Sequence, residues 1–440
     1  VTLPGARTVA VIGLSFVAAA QCAPPAFAVA PPPVDDRMLP APARPAPPTA
    51  TIQQEPCTTP VDAGAGNPVQ HRRNGVDLQQ VWRLTRGAGQ RVAVIDTGVQ
   101  PHPRLPSVVS GGDYVSTGDG TQDCDGHGTL VAGIIGAAPG DRDGFAGVAP
   151  EVTLIGIRQS SIKFGPADTP SSRGIGDVTT LAMAVRTAAD LGASVINISS
   201  VACAESTFDD RALGAALSYA VDVKDAVVVA AAGNVGGAGQ CPAQNTGSRP
   251  AVIASPAWYD DYVLAVGSVN DAGAPSPFSL NGPWVDVAAP GEGVVSLDRA
   301  GPGLVDSMPG PTGSAPISGT SYAAPVVSAL AALVRSRFPR MSARQVMTRI
   351  ENTAHKPAAG WDPAVGNGVV DLLAAVGDQV PDVAAPKGKA VEPPRPVEPD
   401  DRHTGTVAVS GAAACLAGLV AIAAFPRLRR RPVGADVAGD

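Results

Sequence analysis

The chain of 440 residues is long enough for two or three domains, and with 45% apolar residues it can bury a substantial core, so a folded globular protein is the starting point. Only 4% of residues are aromatic while Gly (50) and Pro (44) abound, a balance suited to tight turns, closely packed helices and extended linkers. The formal net charge is -7 and the notable basic cluster stands at the extreme C-terminus, which sets nucleic acid aside as a partner.

At the N-terminus Arg7 precedes the apolar stretch TVAVIGLSFVAAA and then APPAFA, which ends in small residues at the spacing a signal peptidase accepts. Residues 1–28 therefore read as a secretory signal peptide, cut after Ala28 with Ala30 as the alternative; the apolar run is short for a membrane span. Cys22 leaves with it. Residues 29–75 form a Pro-rich extension, whose first part, Val29 to about Ala50, cannot bury a core and is expected to be an extended tether. Folding signals begin near Ile52, and the main globular domain is expected over 76–376.

Between Arg91 and Val376 short apolar runs with β-branched residues alternate with helical patterns. The strand candidates are RVAVI, VTLIGI, SVINIS, AVVVAAA, YVLAVGSV and VDVAA; the helical stretches include GTLVAGIIGAA, VTTLAMAVRTAADLG and DRALGAALSYAVDV. Near-continuous apolar strands separated by helices predict an α/β fold, a mostly parallel sheet with helices on both faces. In such a sheet, ligands sit beyond the carboxyl ends of the strands. Four polar residues fall there. Asp96 ends the first strand in RVAVIDTGV, His127 opens a helix in DCDGHGTLVAG, Asn234 follows a strand in VVVAAAGN, and Ser321 opens the helix of PISGTSYAAP.

Singly, each has an ordinary reading as a cap, a turn residue or a surface imidazole. Together they are the parts of one reaction. A serine hydroxyl is a poor nucleophile at neutral pH, so it needs a base with a pKa near 6.5, a carboxylate to orient that base, and donors for the oxyanion.

After this region comes a second Pro-rich and charged linker, 377–403, and then the uncharged run Thr404–Phe425, long enough to span a bilayer. Arg427, Arg429, Arg430 and Arg431 lie directly beyond it, and positive residues stay on the cytoplasmic side. The expected order is a transmembrane helix over 404–426 and a cytoplasmic tail over 427–440, with the globular region outside the cytoplasm. In that oxidising compartment Cys57, Cys124, Cys203 and Cys241 suggest two bridges, for which sequence alone leaves three pairings. No Cys-x-x-Cys pair points to zinc.

The motifs VAVIDTGV, DGHGTLVAG, AAAGN and SGTSYAAP resemble those of the subtilisin-like serine proteases, in the same Asp, His, Asn, Ser order, and the resemblance runs from about Val92 to Val376. It implies that Ser321 attacks the peptide carbonyl, His127 carries the proton, Asp96 holds His127, and Asn234 with the Ser321 N–H binds the oxyanion. No cofactor is implied. The whole architecture looks like a mycosin, a membrane-anchored subtilase attached to type VII secretion systems, and so implies an extracytoplasmic endopeptidase acting on exported polypeptides and a membrane secretion complex as partner. A second reading makes the chain a structural part that braces such a complex.

The sequence departs from the family pattern in two places. Many subtilases follow one cleft strand with glycines, whereas here Ser199, Ser200 and Val201 stand at the expected substrate-binding wall, so access should be narrow. No folded pro-domain precedes the peptidase region. Cys124 lies three residues before His127, so a Cys57 to Cys124 bridge would pin the extension beside the histidine, and a Cys203 to Cys241 bridge would tie the loops walling the cleft; these pairings are expected. The loop from Arg158 to Asp177 reads as a surface insertion. Asp119, Asp123 and Asp125 match no calcium loop and read as turn residues, so no metal is expected. His71, His102, His355 and His403 read as ordinary surface residues.

Overall fold

A computed structural model describes residues 30–378, apart from 60, 63–71, 74–75, 141–142, 170–173, 206–208, 237–240, 247–249 and 311–312. The expected signal peptide, almost all of the second linker, the run Thr404–Phe425 with its arginine tail, Cys22, Cys415, His71 and His403 lie outside the described residues. Among those described, no helix is long and apolar enough to cross a membrane.

Small and β-branched apolar residues, buried on both faces, build a seven-stranded sheet. Its strands are β1 Arg91–Asp96, β2 Val108–Asp113, β3 Thr153–Arg158, β4 Val195–Ile198, β5 Val227–Ala231, β6 Val263–Val269 and β7 Val285–Pro290. Their spatial order is β7-β6-β5-β4-β1-β3-β2, and each pairing is parallel. Six strands coincide with apolar runs in the sequence. β2 does not, because its sequence VVSGGD has only two apolar side chains and carries two glycines; it is an edge strand with Val109 and Ser110 exposed, and a Cβ on Gly111 would stand 2.5 Å from Ile157 of the neighbouring β3.

The helices form two layers. On one side α1 His127–Gly136 packs on α4 Thr320–Arg337, and on the other α2 Val178–Asp190 packs on α3 Arg211–Ser218. Helix α2 starts at a capping box: Asp177 accepts the Thr180 N–H, and the Thr180 hydroxyl lies on the Asp177 N–H. Helix α4 is apolar nearly all round, as a helix enclosed by sheet and neighbours must be, and every residue from Thr320 to Val334 is buried. It contacts β1, β4, β5, β6 and β7, so its first turn is held at the carboxyl edge of the sheet. A further helix, α5 Ala343–Thr353, packs on α4.

The extension is not a bare tether. Residues Asp36–Met38 form a 3-10 helix against α3, Leu39 packs on the core, and the Arg186 guanidinium of α2 donates to the Pro40 carbonyl. Strand Thr51–Gln53 then pairs antiparallel with Phe164–Pro166, and Lys163 pairs with Glu55 at 3.1 Å. Prolines remove donors from a chain but not apolar surface, so a Pro-rich segment can be laid onto a core that the rest of the chain supplies. The same pairing corrects the reading of Arg158–Asp177 as a plain surface insertion: Arg158, Gln159 and Ser161 are buried, and Phe164–Pro166 is the partner strand.

Candidate active site

Asp96, 2% exposed, is the last residue of β1. Its Oδ1 accepts the Thr97 N–H at 2.7 Å and faces His127 Nδ1 at 2.7 Å, while its Oδ2 has no partner among the described residues. A carboxylate so far removed from water is a strong acceptor, and it sets the tautomer: the proton sits on Nδ1 and the neutral ring keeps its lone pair on Nε2. Burial pulls the imidazole pKa down, but Asp96, with Asp123 and Asp125 farther off, outweighs it, and the net shift is upward. The His127 side chain is 27% exposed, so the ring is open on one side.

These two residues come from different elements, and glycines let the elements meet. A Cβ on Gly128 would stand 2.0 Å from the Gly98 carbonyl oxygen and 3.1 Å from Asp96 Cβ. Gly98 itself has φ +106, and a Cβ there would stand 2.0 Å from the Gln122 carbonyl oxygen. No side chain fits at either place.

Asp123, expected to be a turn residue, is the anchor of this corner. It is 2% exposed and accepts four donors: Thr97 Oγ1 at 2.8 Å, the Gly126 N–H at 2.7 Å, and the Thr129 N–H and hydroxyl at 2.8 and 2.6 Å. Two of those N–H groups belong to the start of α1, so Asp123 caps the helix that carries His127. Burial pushes its carboxyl up to about 6 against the pull of these donors. Asp125 accepts from Ser161 Oγ and the Ile162 N–H, and Asp119 from the Thr121 N–H and hydroxyl. Among the described residues no three His, Cys, Asp or Glu side chains are grouped to hold a metal ion.

Ser321 is 7% exposed, in the first turn of α4, where its N–H has no intrahelical acceptor. Its hydroxyl makes no hydrogen bond among the described residues. The next residue, Tyr322, lays its ring against His127, centroids 5.1 Å apart. Asn234 lies just past β5, and its Oδ1 accepts the Thr320 N–H at 2.9 Å and the Thr320 hydroxyl at 3.1 Å. With the oxygen so held, the Nδ2 end turns toward the serine. A Cβ built on Gly319 would lie 3.0 Å from Ser321 Oγ, 3.5 Å from Asn234 Nδ2 and 3.5 Å from Tyr322 Cδ2. The absent side chain of Gly319 thus leaves a small space bordered by a hydroxyl, an amide donor and an aromatic edge. Gly319 is extended, with φ 162, so the space and not the backbone calls for glycine.

Behind the serine runs a buried chain of side chains. Ser328 Oγ donates to Asn197 Oδ1 at 2.8 Å, Asn197 Nδ2 donates to Ser199 Oγ at 2.8 Å, and Ser199 Oγ donates to the Ser321 carbonyl at 2.9 Å. The Ser199 hydroxyl is therefore engaged inside the protein and does not face the cleft; Ser200 and Val201 are part-exposed beside it. Asn197, Ser328 and Thr320 carried no motif signal beyond lying next to residues that did.

The bridges join Cys57 to Cys124 and Cys203 to Cys241. One histidine corrects the sequence reading. His102 is 7% exposed, not on the surface; its Nδ1 accepts the Arg104 N–H at 3.1 Å, and burial lowers its pKa. His355 is exposed and lies 3.3 Å from Asp371.

The profile of the subtilase family matches residues 87–368. Mycosin-4 of Mycobacterium tuberculosis is 61% identical over 437 residues, covering 95% of each chain. Among solved structures, the MycP3 protease from the type VII (ESX-3) secretion system superposes with a TM-score of 0.74 at 45% identity, over 80% of this chain and 100% of that one. A chain of an intact ESX-5 inner membrane complex superposes with a TM-score of 0.75 at 40% identity, over 91% of this chain and 100% of that one.

Proposed function

The chain belongs to the subtilase family and is a serine protease, and from that premise we propose that Ser321, His127 and Asp96 form its catalytic triad, with Asn234 as oxyanion donor, in an endopeptidase for exported polypeptides. The observation that carries the reading is the space at Gly319. It has the nucleophile on one side and a preoriented amide donor on the other, and its third border, the Tyr322 ring, packs on the imidazole that a buried carboxylate fixes.

Ser321 Oγ attacks the carbonyl carbon, and its proton passes to His127 Nε2 as the imidazolium forms. The Asp96 carboxylate stabilises that cation. The oxyanion accepts hydrogen bonds from Asn234 Nδ2 and the Ser321 N–H, at the positive end of an 18-residue helix. The C–N bond then breaks, His127 gives its proton to the leaving amine, and water hydrolyses the acyl-enzyme through the same base. No hydrogen bond joins the hydroxyl and the imidazole among the described residues, and in this mechanism the bond is made when substrate is seated. Backbone of Ser199, Ser200 and Val201 pairs with the substrate, while the Ser199 side chain holds the nucleophile's turn.

The run Thr404–Phe425 anchors the protein with the peptidase region outside the cytoplasm and the arginine tail inside. The likeness to a chain of the ESX-5 inner membrane complex supports association with a type VII secretion complex, and also favours a second role as a brace within it. One substitution separates the two. Ser321→Ala should abolish labelling by a fluorophosphonate and lower peptide cleavage by several powers of ten with the fold intact. Secretion that survives Ser321→Ala but fails without the chain makes bracing the main role; unchanged cleavage by Ser321→Ala overturns the triad.

A further inference from the structure

A second set of contacts reaches Asn234 from outside the triad, and it passes through a disulfide. Asp210, 1% exposed, accepts Ser255 Oγ at 2.6 Å, Trp258 Nε1 at 2.8 Å and Tyr259 Oη at 2.8 Å. Three side-chain donors on one buried acid make strand Ile253–Ser255 and its following turn a rigid base. That strand pairs antiparallel with Ala202–Ala204, placing Cys203 opposite Ala254. From Cys203 the bridge crosses to Cys241, which is 2% exposed.

Cys241 then holds the backbone at Asn234 and at the residue before it. Its N–H donates to the Asn234 carbonyl at 2.8 Å. Its sulfur stands 3.0 Å from where a Cβ on Gly233 would be, so the residue before Asn234 packs directly on the bridge. Thr320 holds the same corner from the helix side, orienting the side-chain amide and accepting the Gly233 N–H at 3.2 Å, and the Phe278 and Leu280 backbone binds Val235 and Gly233; the Cys241 N–H is what reaches the Asn234 carbonyl itself.

We infer that the Cys203–Cys241 bridge is a positioning element of the oxyanion site, so that opening it slows the reaction by displacing Asn234 and not by unfolding the domain. An oxyanion donor works at about 2.7–3.1 Å and is worth roughly 10²–10³ in rate, so a shift on the order of 1 Å forfeits much of it. The inference rests on Asn234 being that donor.

The test uses the full chain in detergent micelles and reads the second-order rate of Ser321 labelling by a fluorophosphonate. The bridge is opened in two ways: by Cys203→Ala with Cys241→Ala, and, should that pair fail to fold, by a water-soluble phosphine acting on folded Cys57→Ser/Cys124→Ser protein. In the phosphine route the S–S bond breaks, two electrons pass from phosphorus to sulfur, and water supplies the oxygen of the phosphine oxide and the protons of two thiols. Labelling should slow roughly 10- to 100-fold. In an Asn234→Ala background, opening the bridge should slow it less than about threefold further, because coupled groups are not additive. Equal losses in both backgrounds, or no loss in either, overturn the inference. Full-speed labelling by Asn234→Ala alone overturns instead the oxyanion assignment beneath it.

Discussion

An imidazole with a raised pKa loses its proton later as pH rises, and a general base works only when neutral. Asp96 outweighs the effect of burial on His127, so the acid limb of kcat/KM should have its midpoint above the ordinary histidine value of about 6.5. Asp96→Asn should move that midpoint down and lower kcat by about 10⁴, as the ring loses its tautomer and its counter-charge. A pH–rate profile of both proteins decides it; an unmoved limb would assign the titration to another group. The same interaction stabilises the folded chain fully below the unfolded histidine pKa, and that share is lost as pH rises through the folded one. Gly319→Ala is the companion substitution. The backbone there is extended and accepts alanine, so stability should change by less than about 0.5 kcal/mol, but the new methyl fills the space beside Ser321 Oγ and Asn234 Nδ2 and kcat should fall by about 10² or more. Asp96, His127, Asn234 and Ser321 were legible because each sits in a short motif at a strand or helix end. Asp123 was not, because its value lies in donors from Thr97, Gly126 and Thr129 that only folding brings together.

Elements place these residues through the buried polar links between them. The chain Ser328, Asn197, Ser199 ties α4 to β4 and fixes the carbonyl of Ser321 itself. Ser199→Ala leaves a buried carbonyl and the Asn197 amide each short of a partner, so unfolding free energy should fall by about 1–3 kcal/mol and kcat by about tenfold, with KM nearly unchanged. Urea midpoints and steady-state kinetics on one preparation measure both, and a change in KM alone would return Ser199 to the substrate wall. Asp123→Ala should cost more, about 3 kcal/mol or above, because four donors lose their acceptor and α1 its cap. Six of seven sheet strands were legible, since two-sided burial writes an unbroken apolar run. β2 was hidden because an edge strand with Gly111 and Gly112 follows neither the run nor the alternation.

At the scale of the molecule, the extension shows what composition alone cannot decide. Proline and alanine predict a segment unable to fold by itself, yet the 3-10 helix at Asp36–Met38, the pairing of Thr51–Gln53 with Phe164–Pro166 and the Cys57–Cys124 bridge lay it across a domain that folds around it. The bridge spans 67 residues of sequence, so chain entropy gives it a stabilising effect of about 2–4 kcal/mol. Its nearness to His127 in sequence suggests a catalytic effect as well, but the start of α1 is held independently by Asp123, and Thr58 donates to the Cys124 carbonyl whether or not sulfur is joined. Replacing both cysteines, Cys57→Ser with Cys124→Ser, should therefore lower the denaturation midpoint by that amount and speed proteolytic nicking of the extension at least about tenfold. Fluorophosphonate labelling of the still-folded molecules should slow by less than about threefold, because the four donors on Asp123 keep the helix start, and with it the imidazole, against Asp96. Labelling that collapses while the fold persists would make the extension part of the catalytic apparatus instead of a clamp on the domain.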